Sequence, residues 1–281
     1  MTQLPDTTAI ELTLQDGWLQ IVLNRPESRN ALSAELAGEL VRVLEAVRDD
    51  RAVRGISIRG RGGVFCAGAD LKAFAAIEAA GDAAQSMAKN MSHAGAHLFR
   101  LIDTAPQVTV ALIEGAAMAG GFGLACACDL AAATDSTRFA LTETRIGLTP
   151  AQIAPYVLRR LGRNTGRRLM LLGSVFDGAE AERIGLVDRL VSDGAGLAAF
   201  EQAVREQVLA CAPGAVAATK EVIAASALLS PEDLAQLAAE RFAAGLVGPE
   251  GREGVASFLQ RRPPSWANKR QSQPGEPHGD C

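Results

Sequence analysis

The chain has 281 residues, of which 48% are hydrophobic and only 4% aromatic, so small and aliphatic side chains must fill its core. This length allows one large domain or two small ones, with room to exclude water from a site. Acidic residues (32) outnumber lysine and arginine (28), for a formal charge of −4. That balance argues against a protein that bulk charge holds to nucleic acid or to a membrane surface, so a polyanionic ligand would need a local basic patch.

The cysteines and the N-terminal residues bear on the cellular setting. Five cysteines, an odd count, form no C-x-x-C pair, which predicts small buried residues in a reducing cytosol instead of disulfides or a zinc site. The first residues, MTQLPDTTAIEL, contain neither a basic nor an apolar signal region, and no apolar stretch reaches the roughly 20 residues that span a bilayer. We therefore expect a cytoplasmic protein.

Strand and helix patterns alternate along the first half of the chain. The predicted elements are, in chain order, a strand at 18–23, a helix capped by Ser33, a strand at 55–58, a helix over about 75–102, a strand at 107–113, a helix from near Gly120 and a strand at 130–134. From about residue 150 the pattern is mainly helical, with predicted caps at Asp177 and Ser230. The order predicts an α/β core of stacked β-β-α turns at 8–195, a helical region at 196–262 and a disordered tail at 263–281.

Two turns that contain glycine stand out as candidate sites. The first, FCAGAD (65–70), follows a strand, and its small residues allow a ligand to approach the backbone. The second, AGG (119–121), lies where an apolar helix begins, so its amide groups lack partners inside the helix. Two such donors that converge on one oxygen would form an oxyanion hole. The alternative is that each is only a tight turn packed against neighbouring backbone.

Five segments give the chain a family resemblance. They are LNRPESRNALS (23–33), FCAGADLK (65–72), EGAAMAGGFGLACACD (114–129), RFALTETRIGLTP (138–150) and AERIGLVDRLV (181–191). With these, the chain resembles the crotonase, or enoyl-CoA hydratase/isomerase, superfamily from about residue 10 to 262. The resemblance implies a crotonase (ClpP-like) fold, with a spiral β-β-α core and a C-terminal helical region that forms a homotrimer or a dimer of trimers. It implies an acyl-coenzyme A substrate and no metal or redox cofactor.

The resemblance also implies a set of site residues. The amides of Ala67 and Gly120 would hold the thioester oxygen. Phe258 would contribute to the coenzyme A site of its own or of a neighbouring subunit in the trimer. The coenzyme A and acyl parts would lie along a larger group of residues: Arg25, Ser28, Arg29, Ala31, Ala67, Asp70, Leu71, Lys72, Met118, Gly120, Gly123 and Phe258. Arg25 and Lys72 are candidate phosphate partners, and both are equally consistent with ordinary solvated surface charges.

Glu143 is the candidate acid/base. It is a single acid after the apolar stretch 139–141, and it matches the second of two family glutamates, whereas the position of the first is Gly123. On the residues alone, a surface glutamate beside Arg145 is the alternative. One carboxylate could add water across C2–C3 or move a proton between C2 and C4 without water, which is isomerisation.

The stretch RIGLTPAQIAPYVLRRLG (145–162) favours hydration, because it resembles the bacterial 3-methylglutaconyl-CoA hydratases and their isohexenylglutaconyl-CoA relatives, as does Gly123. A missing side chain at Gly123 would leave space for a branch at C3. The distal carboxylate of such a substrate needs a cationic partner, for which His93, His97 and Arg145 are candidates. A non-catalytic acyl-CoA-binding or RNA-binding protein is the alternative from another class. The acidic balance argues against RNA.

Overall fold

A computed structural model of the protein describes residues 3–267. Its strands are β1 Ile10–Gln15, β2 Trp18–Leu23, β3 Gly55–Gly60, β4 Val108–Ile113, β5 Ala116–Met118, β6 Leu130–Thr134, β7 Arg138–Ala140, β8 Val175–Asp177 and β9 Arg189–Val191. Its helices are α1 Ala34–Val47, α2 Leu71–Glu78, α3 Ala84–Asp103, α4 Gly120–Ala127, α5 Ala154–Leu172, α6 Gly178–Arg183, α7 Gly194–Ala210, α8 Pro213–Ala225, α9 Pro231–Val247 and α10 Pro249–Leu259.

The strands form two sheets. The larger has the order β1-β2-β3-β4-β6-β9, in which only the β1–β2 pair is antiparallel, and the smaller has the order β5-β7-β8. The polypeptide therefore alternates between sheets, leaving β4 for β5 and returning to β6. Each parallel step is covered by a helix, which agrees with the expected stack of β-β-α turns.

Several local predictions from the sequence are confirmed. The Ser33 hydroxyl accepts from the Leu36 N–H at 3.2 Å, and Asp177 and Ser230 cap α6 and α9 in the same way. The apolar face expected of α1 is buried. The single helix expected over about 75–102 is wrong, because two helices lie there, separated by a turn at Gly81, whose φ is +56°. Glycine adopts this conformation without the strain that a side chain brings.

A buried carboxylate fixes the start of α7 to the large sheet. Glu201 Oε1 accepts hydrogen bonds from the Trp18 indole at 2.9 Å, from the Ser57 hydroxyl at 2.5 Å and from Gln20 at 3.1 Å. The first compact unit ends at Arg205, inside α7, and the end of the core domain at residue 195 stays a prediction. A carboxylate that lost these donors would carry an uncompensated buried charge.

The second unit, which begins at Glu206, contains α8, α9 and α10. The predicted tail at 263–281 begins too early, because the Ser265 N–H donates to Glu253 at 2.8 Å and the Trp266 indole donates to the Ala210 carbonyl at 3.2 Å. The rest of that predicted tail, 268–281, lies outside the described residues. Within the described range, no single helix is long and apolar enough to cross a membrane; α7 and α8, which are bent relative to each other, reach that length and composition only when counted together.

Candidate active site

Three segments that are distant in the sequence meet at one end of the small sheet. Cys66 forms a parallel bridge with Ala117, and β5 pairs in parallel with β7, so that Met118 lies beside Ala140. The chain continues from these three strand ends into the turn 67–70, the turn 119–121 and the segment that carries Glu143. Parallel neighbours bring their carboxyl ends to the same edge, which places all three segments together.

Small residues allow the first two turns to touch. A Cβ added at Gly68, where φ is +94°, would lie 2.9 Å from both the Met118 carbonyl oxygen and the Ala119 Cβ. A Cβ added at Gly121 would lie 2.4 Å from the Cys66 carbonyl oxygen. Ala119 itself has φ +46° and ψ −112°, a conformation that costs a residue with a side chain about 1–3 kcal/mol. Strain of this kind is typical of sites where backbone groups must face a ligand.

The donors of this site are not the pair predicted from the sequence. The Gly120 N–H has no acceptor among the described residues, as expected for the first turn of α4. The Ala67 N–H, in contrast, donates to the Arg29 carbonyl at 3.0 Å. The prediction that Ala67 supplies a free amide is therefore wrong. The Gly68 and Ala69 N–H groups find no acceptor within the described chain. Because the Gly68 carbonyl accepts from Leu32, the trans peptide directs the Ala69 N–H away from the 25–32 turn, which makes Ala69 the candidate donor.

Glu143 has the environment of a functional acid. It opens a short 3-10 helix, Glu143–Ile146, directly after β7, and its side chain is half-buried. Its Oε2 is one of the few buried side-chain oxygens in the described chain without a hydrogen-bond partner. Burial raises the pKa of this carboxyl group, and a hydrogen bond from its own backbone N–H opposes that rise. A carboxylate that is desolvated and has no hydrogen-bond partner is more typical of a functional site than of an ordinary surface glutamate.

The space expected beside Gly123 is filled. Gly123 lies one helical turn after Ala119, to whose carbonyl its N–H donates at 3.0 Å. A Cβ at Gly123 would lie 2.2 Å from Ile153 Cγ2 and 3.2 Å from Phe99 Cε1, both in side chains that are 3% exposed. The prediction that the glycine leaves room for a substrate branch is therefore wrong. Neighbouring hydrocarbon occupies that room, which a sequence pattern around residue 123 could not reveal.

The predicted coenzyme A turn is built as a paired loop. Arg29 has a left-handed conformation (φ +54°), and its carbonyl accepts from Ala67. The Ala31 N–H donates to Ser28 at 3.2 Å, and the Leu32 N–H donates to the Gly68 carbonyl at 2.7 Å. The turn at 28–32 therefore lies along the turn at 67–70. That both turns lie along the coenzyme A moiety, as the resemblance implies, stays a prediction.

Other residues of the predicted groove have diverse surroundings. Asp70 caps α2 by accepting from the Lys72 N–H at 2.9 Å, and the side chains of Leu71 and Lys72 are exposed. Met118 is half-buried in β5. Arg25 donates to Glu27 at 2.7 Å and to Glu35 at 2.5 Å, which favours the surface-charge interpretation over a phosphate role. Lys72 forms no salt bridge among the described residues, although its charge helps to lower the pKa of the Glu27 carboxyl group.

Asn30 is a positioning residue that the sequence analysis missed. Its side chain is fully buried, accepts from the Arg25 N–H at 2.8 Å, and donates to the carbonyls of Arg61 at 3.0 Å and Val64 at 2.6 Å. It thus fastens the 25–32 turn to the segment that connects β3 to residue 65. An asparagine inside a motif such as NRPESRNALS looks like one more turn residue, and only its burial distinguishes it.

Replacing Asn30 by alanine is expected to lower the free energy of unfolding by about 3 kcal/mol, because three backbone groups lose their partner in a buried place. Urea unfolding followed by circular dichroism measures the change. Asn90→Ala, at an exposed position of α3, is the matched control and should change stability by less than about 0.5 kcal/mol. Equal effects of the two substitutions would contradict the role given to Asn30.

The candidate partners for a distal carboxylate differ in what they contact. His97 is engaged by Glu45 at 3.2 Å and by Arg100 at 3.0 Å, and His93 is exposed on α3. Arg145 lies two residues after Glu143 with its side chain against Gly173, and it forms no ion pair within residues 3–267. Phe258, on α10 of the second unit, is 83% exposed.

Metal-ligating residues do not cluster in the described chain, where no group of three His, Cys, Asp or Glu side chains comes together. The cysteines expected to be small buried residues include Cys66, Cys126 and Cys128, which are buried and not in disulfides, whereas Cys211 is exposed. Burial raises the pKa of the Cys66 thiol to about 12, so it stays protonated and unreactive beside the turn.

Comparison with known proteins agrees with this geometry. The family model described as enoyl-CoA hydratase/isomerase matches residues 13–269. AtuE of Pseudomonas aeruginosa is 46% identical with a TM-score of 0.89, covering 92% of this chain and 100% of that one. An enoyl-CoA hydratase/isomerase of Marinobacter aquaeolei is 38% identical with a TM-score of 0.88, covering 92% and 99%. Enoyl-CoA hydratase ACTT6 of Alternaria alternata is 33% identical over 88% of this chain and 80% of its own length.

Proposed function

The chain belongs to the enoyl-CoA hydratase/isomerase family and has the crotonase fold, and we propose that it adds water across the C2–C3 double bond of a 2-enoyl-CoA. The observation that carries the proposal is that the unpartnered carboxylate oxygen of Glu143 belongs to a segment at the same sheet edge as two backbone donors without an acceptor, Ala69 N–H and Gly120 N–H. A thioester carbonyl placed on the two donors would bring its double bond to the acid.

The two donors act on the charge that develops during the reaction. When water attacks C3, the C2–C3 π electrons move towards the carbonyl and place negative charge on the thioester oxygen. The N–H groups of Ala69 and Gly120 stabilise that negative charge, and the positive end of the α4 dipole contributes to the same stabilisation. Because these groups are fixed by the two touching turns, they need no reorganisation as the charge forms.

Glu143 moves the proton. Its ionised carboxylate takes a proton from the attacking water as the oxygen bonds to C3, and the resulting carboxylic acid returns a proton to C2. The raised pKa of Glu143 suits both roles, because it reduces the free-energy difference between the ionised and the protonated carboxyl group near neutral pH. Every step is assigned to Glu143, water and backbone donors, so the proposal requires no metal or redox cofactor.

For the acyl group we propose a branched 2-enoyl chain of the methylglutaconyl or isohexenylglutaconyl type. The support is the resemblance of the 145–162 segment. Arg145 is the proposed partner of the distal carboxylate, because it lies near Glu143 in the chain and no described acid pairs with it.

One observation keeps isomerisation as a second candidate. A single acid suffices to move a proton between C2 and C4, and the packing at Gly123 leaves no place for another acid on that face of α4. Hydration incorporates oxygen from solvent into the product, whereas isomerisation does not. Water labelled with heavy oxygen therefore separates the two reactions in one assay.

The test is a panel of straight, branched and carboxylated 2- and 3-enoyl-CoAs in labelled water, with mass spectrometry of the products. We expect a labelled 3-hydroxyacyl-CoA, formed fastest from a branched carboxylated substrate, and undiminished by prior dialysis against a chelator. Product without label would favour the isomerase. A preference for straight chains, or no preference for a distal carboxylate, would remove the branched-substrate proposal and leave the hydration.

The second unit supports a further part of the proposal, a homotrimer or dimer of trimers. Its helices and the turn between α8 and α9 expose large apolar side chains: Ile223, Leu228, Phe242, Leu246, Val247, Val255, Phe258 and Leu259. Exposed apolar surface of this kind is more common at subunit contacts than on monomers. Phe258 would then be available to the coenzyme A of a neighbouring copy. Sedimentation equilibrium gives the assembly size directly, and a monomer at micromolar concentration would contradict the proposal.

A further inference from the structure

The packing partner of Gly123 is a feature that the reaction proposed above does not use. Ile153 directly precedes α5, which contacts both α4 and the short helix that carries Glu143. Its side chain is 3% exposed and lies where any side chain at position 123 would have to begin. Both Ile153 Cγ2 and Cβ, and not the mobile end of a long side chain, make this contact, at 2.2 and 2.9 Å from the added Cβ.

The location of this contact ties it to the reacting atoms. Gly123 is one turn along α4 from the free Gly120 N–H, on the face shared with Ala119. The loop that begins at Glu143 returns to α4 through Ile153. On the side of α4, the Ile153 side chain is therefore the neighbour both of a substrate carbonyl bound by the Gly120 N–H and of the Glu143 carboxyl group.

We propose that Ile153 is a specificity-determining residue, which sets the size of the substituent accepted at C3 of the acyl chain. Ile153 reaches the site only because residue 123 is glycine, so the two residues act as a pair. This inference rests on the proposed hydration. Phe99 packs at the same position, because its ring would lie 3.2 Å from the Cβ added at Gly123. The ring of Phe99 in turn packs against Tyr156, with ring centroids 5.9 Å apart.

Shortening Ile153 should relax the size limit. One methylene in an apolar pocket changes discrimination by about 10- to 200-fold. We therefore expect Ile153→Ala to raise the ratio of kcat/KM for a 3-ethyl over a 3-methyl 2-enoyl-CoA about 10-fold, with a smaller rise for Ile153→Val. Ile21→Ala removes the same atoms from a buried position of β2 and should leave the ratio unchanged. An unchanged ratio in both Ile153 variants, or an equal change in Ile21→Ala, would overturn the inference.

Binding measurements separate this inference from the hydration itself. Calorimetric Kd values for saturated 3-methylpentanoyl-CoA and 3-ethylpentanoyl-CoA need no turnover. If the wild-type protein binds them without hydrating any enoyl-CoA, the proposed reaction fails, and the Kd ratio of Ile153→Ala against wild type still tests the size limit set by Ile153. We expect that ratio to shift about 10-fold towards the larger acyl group. No binding of either acyl-CoA would overturn both proposals.

The pairing of Ile153 with Gly123 has its own measurement. Gly123→Ala should lower Tm when Ile153 is present, because the new Cβ would overlap Ile153. In the Ile153→Ala background the same substitution should lower Tm much less. Equal losses in the two backgrounds would show that the residues do not share the space, and the proposed pair would be wrong.

Discussion

Glu143→Gln is expected to lower kcat for the hydration by about 100- to 10,000-fold while Kd for a saturated acyl-CoA changes little. Glutamine keeps the shape of the side chain but can neither take a proton from water nor return one to C2. Glu240→Gln, an exposed glutamate of α9, is the matched control and should retain full activity. A Glu143→Gln enzyme with nearly normal kcat would rule out the acid as the base and favour a binding protein with an unrelated catalytic group.

The pH dependence of the same variant gives an independent check. Burial raises the pKa of Glu143, so the penalty on the ionised form is absent below the unfolded-state pKa and fully present above the folded-state pKa. Stability therefore falls as pH rises through this window, and Glu143→Gln should be the more stable protein above it. The acid limb of the wild-type kcat/KM profile should lie above the ordinary glutamate range. A lower Tm for the variant at alkaline pH would contradict this account.

Replacing the Ala69 amide by an ester is expected to lower kcat/KM about 100- to 1,000-fold with only a small change in Tm. Lactic acid, introduced at position 69 by nonsense suppression, removes the N–H and keeps the methyl group. Because this N–H has no acceptor in the described chain, its loss should act on the transition state and not on the fold.

The same ester at Ala67 is a closely matched control. There the N–H donates to the Arg29 carbonyl, so we expect a loss of about 1 kcal/mol in the free energy of unfolding and a smaller effect on kcat/KM. Each ester also weakens one carbonyl acceptor, Gly68 towards Leu32 or Cys66 towards Met118, which keeps the comparison fair. A larger kinetic defect at Ala67 than at Ala69 would restore the donor pair first expected from the sequence.

The arrangement has a consequence for how the site tolerates change. Gly68, Ala119 and Gly121 lie so close to facing backbone that a larger residue would separate the two turns. The donors are main-chain groups, so side-chain substitution alone cannot remove them, but it can move them. A shift of about 1 Å is enough to cost much of the benefit of a fixed donor.

The features that depend on residues close together in the chain could be predicted from the sequence. Periodicity placed α1 with its buried face, hydroxyl and carboxylate caps marked the starts of α6 and α9, and the two glycine turns marked the ends of strands that meet. Glu143 was visible as a single acid after an apolar strand. Helical periodicity, caps and turns depend on residues only a few positions apart, so the sequence alone is enough to predict them.

The features that depend on contacts between segments distant in the sequence could not be predicted and became visible only in the folded protein. Whether Ala67 or Ala69 has the free N–H depends on where the Arg29 carbonyl lies, about 40 residues earlier. Whether Gly123 leaves a cavity depends on Ile153, and whether Asn30 is a turn residue or a clamp depends on carbonyls at 61 and 64. Hydrogen-bond partners and filled volume are properties of the packed chain, so no local pattern of residues could specify them.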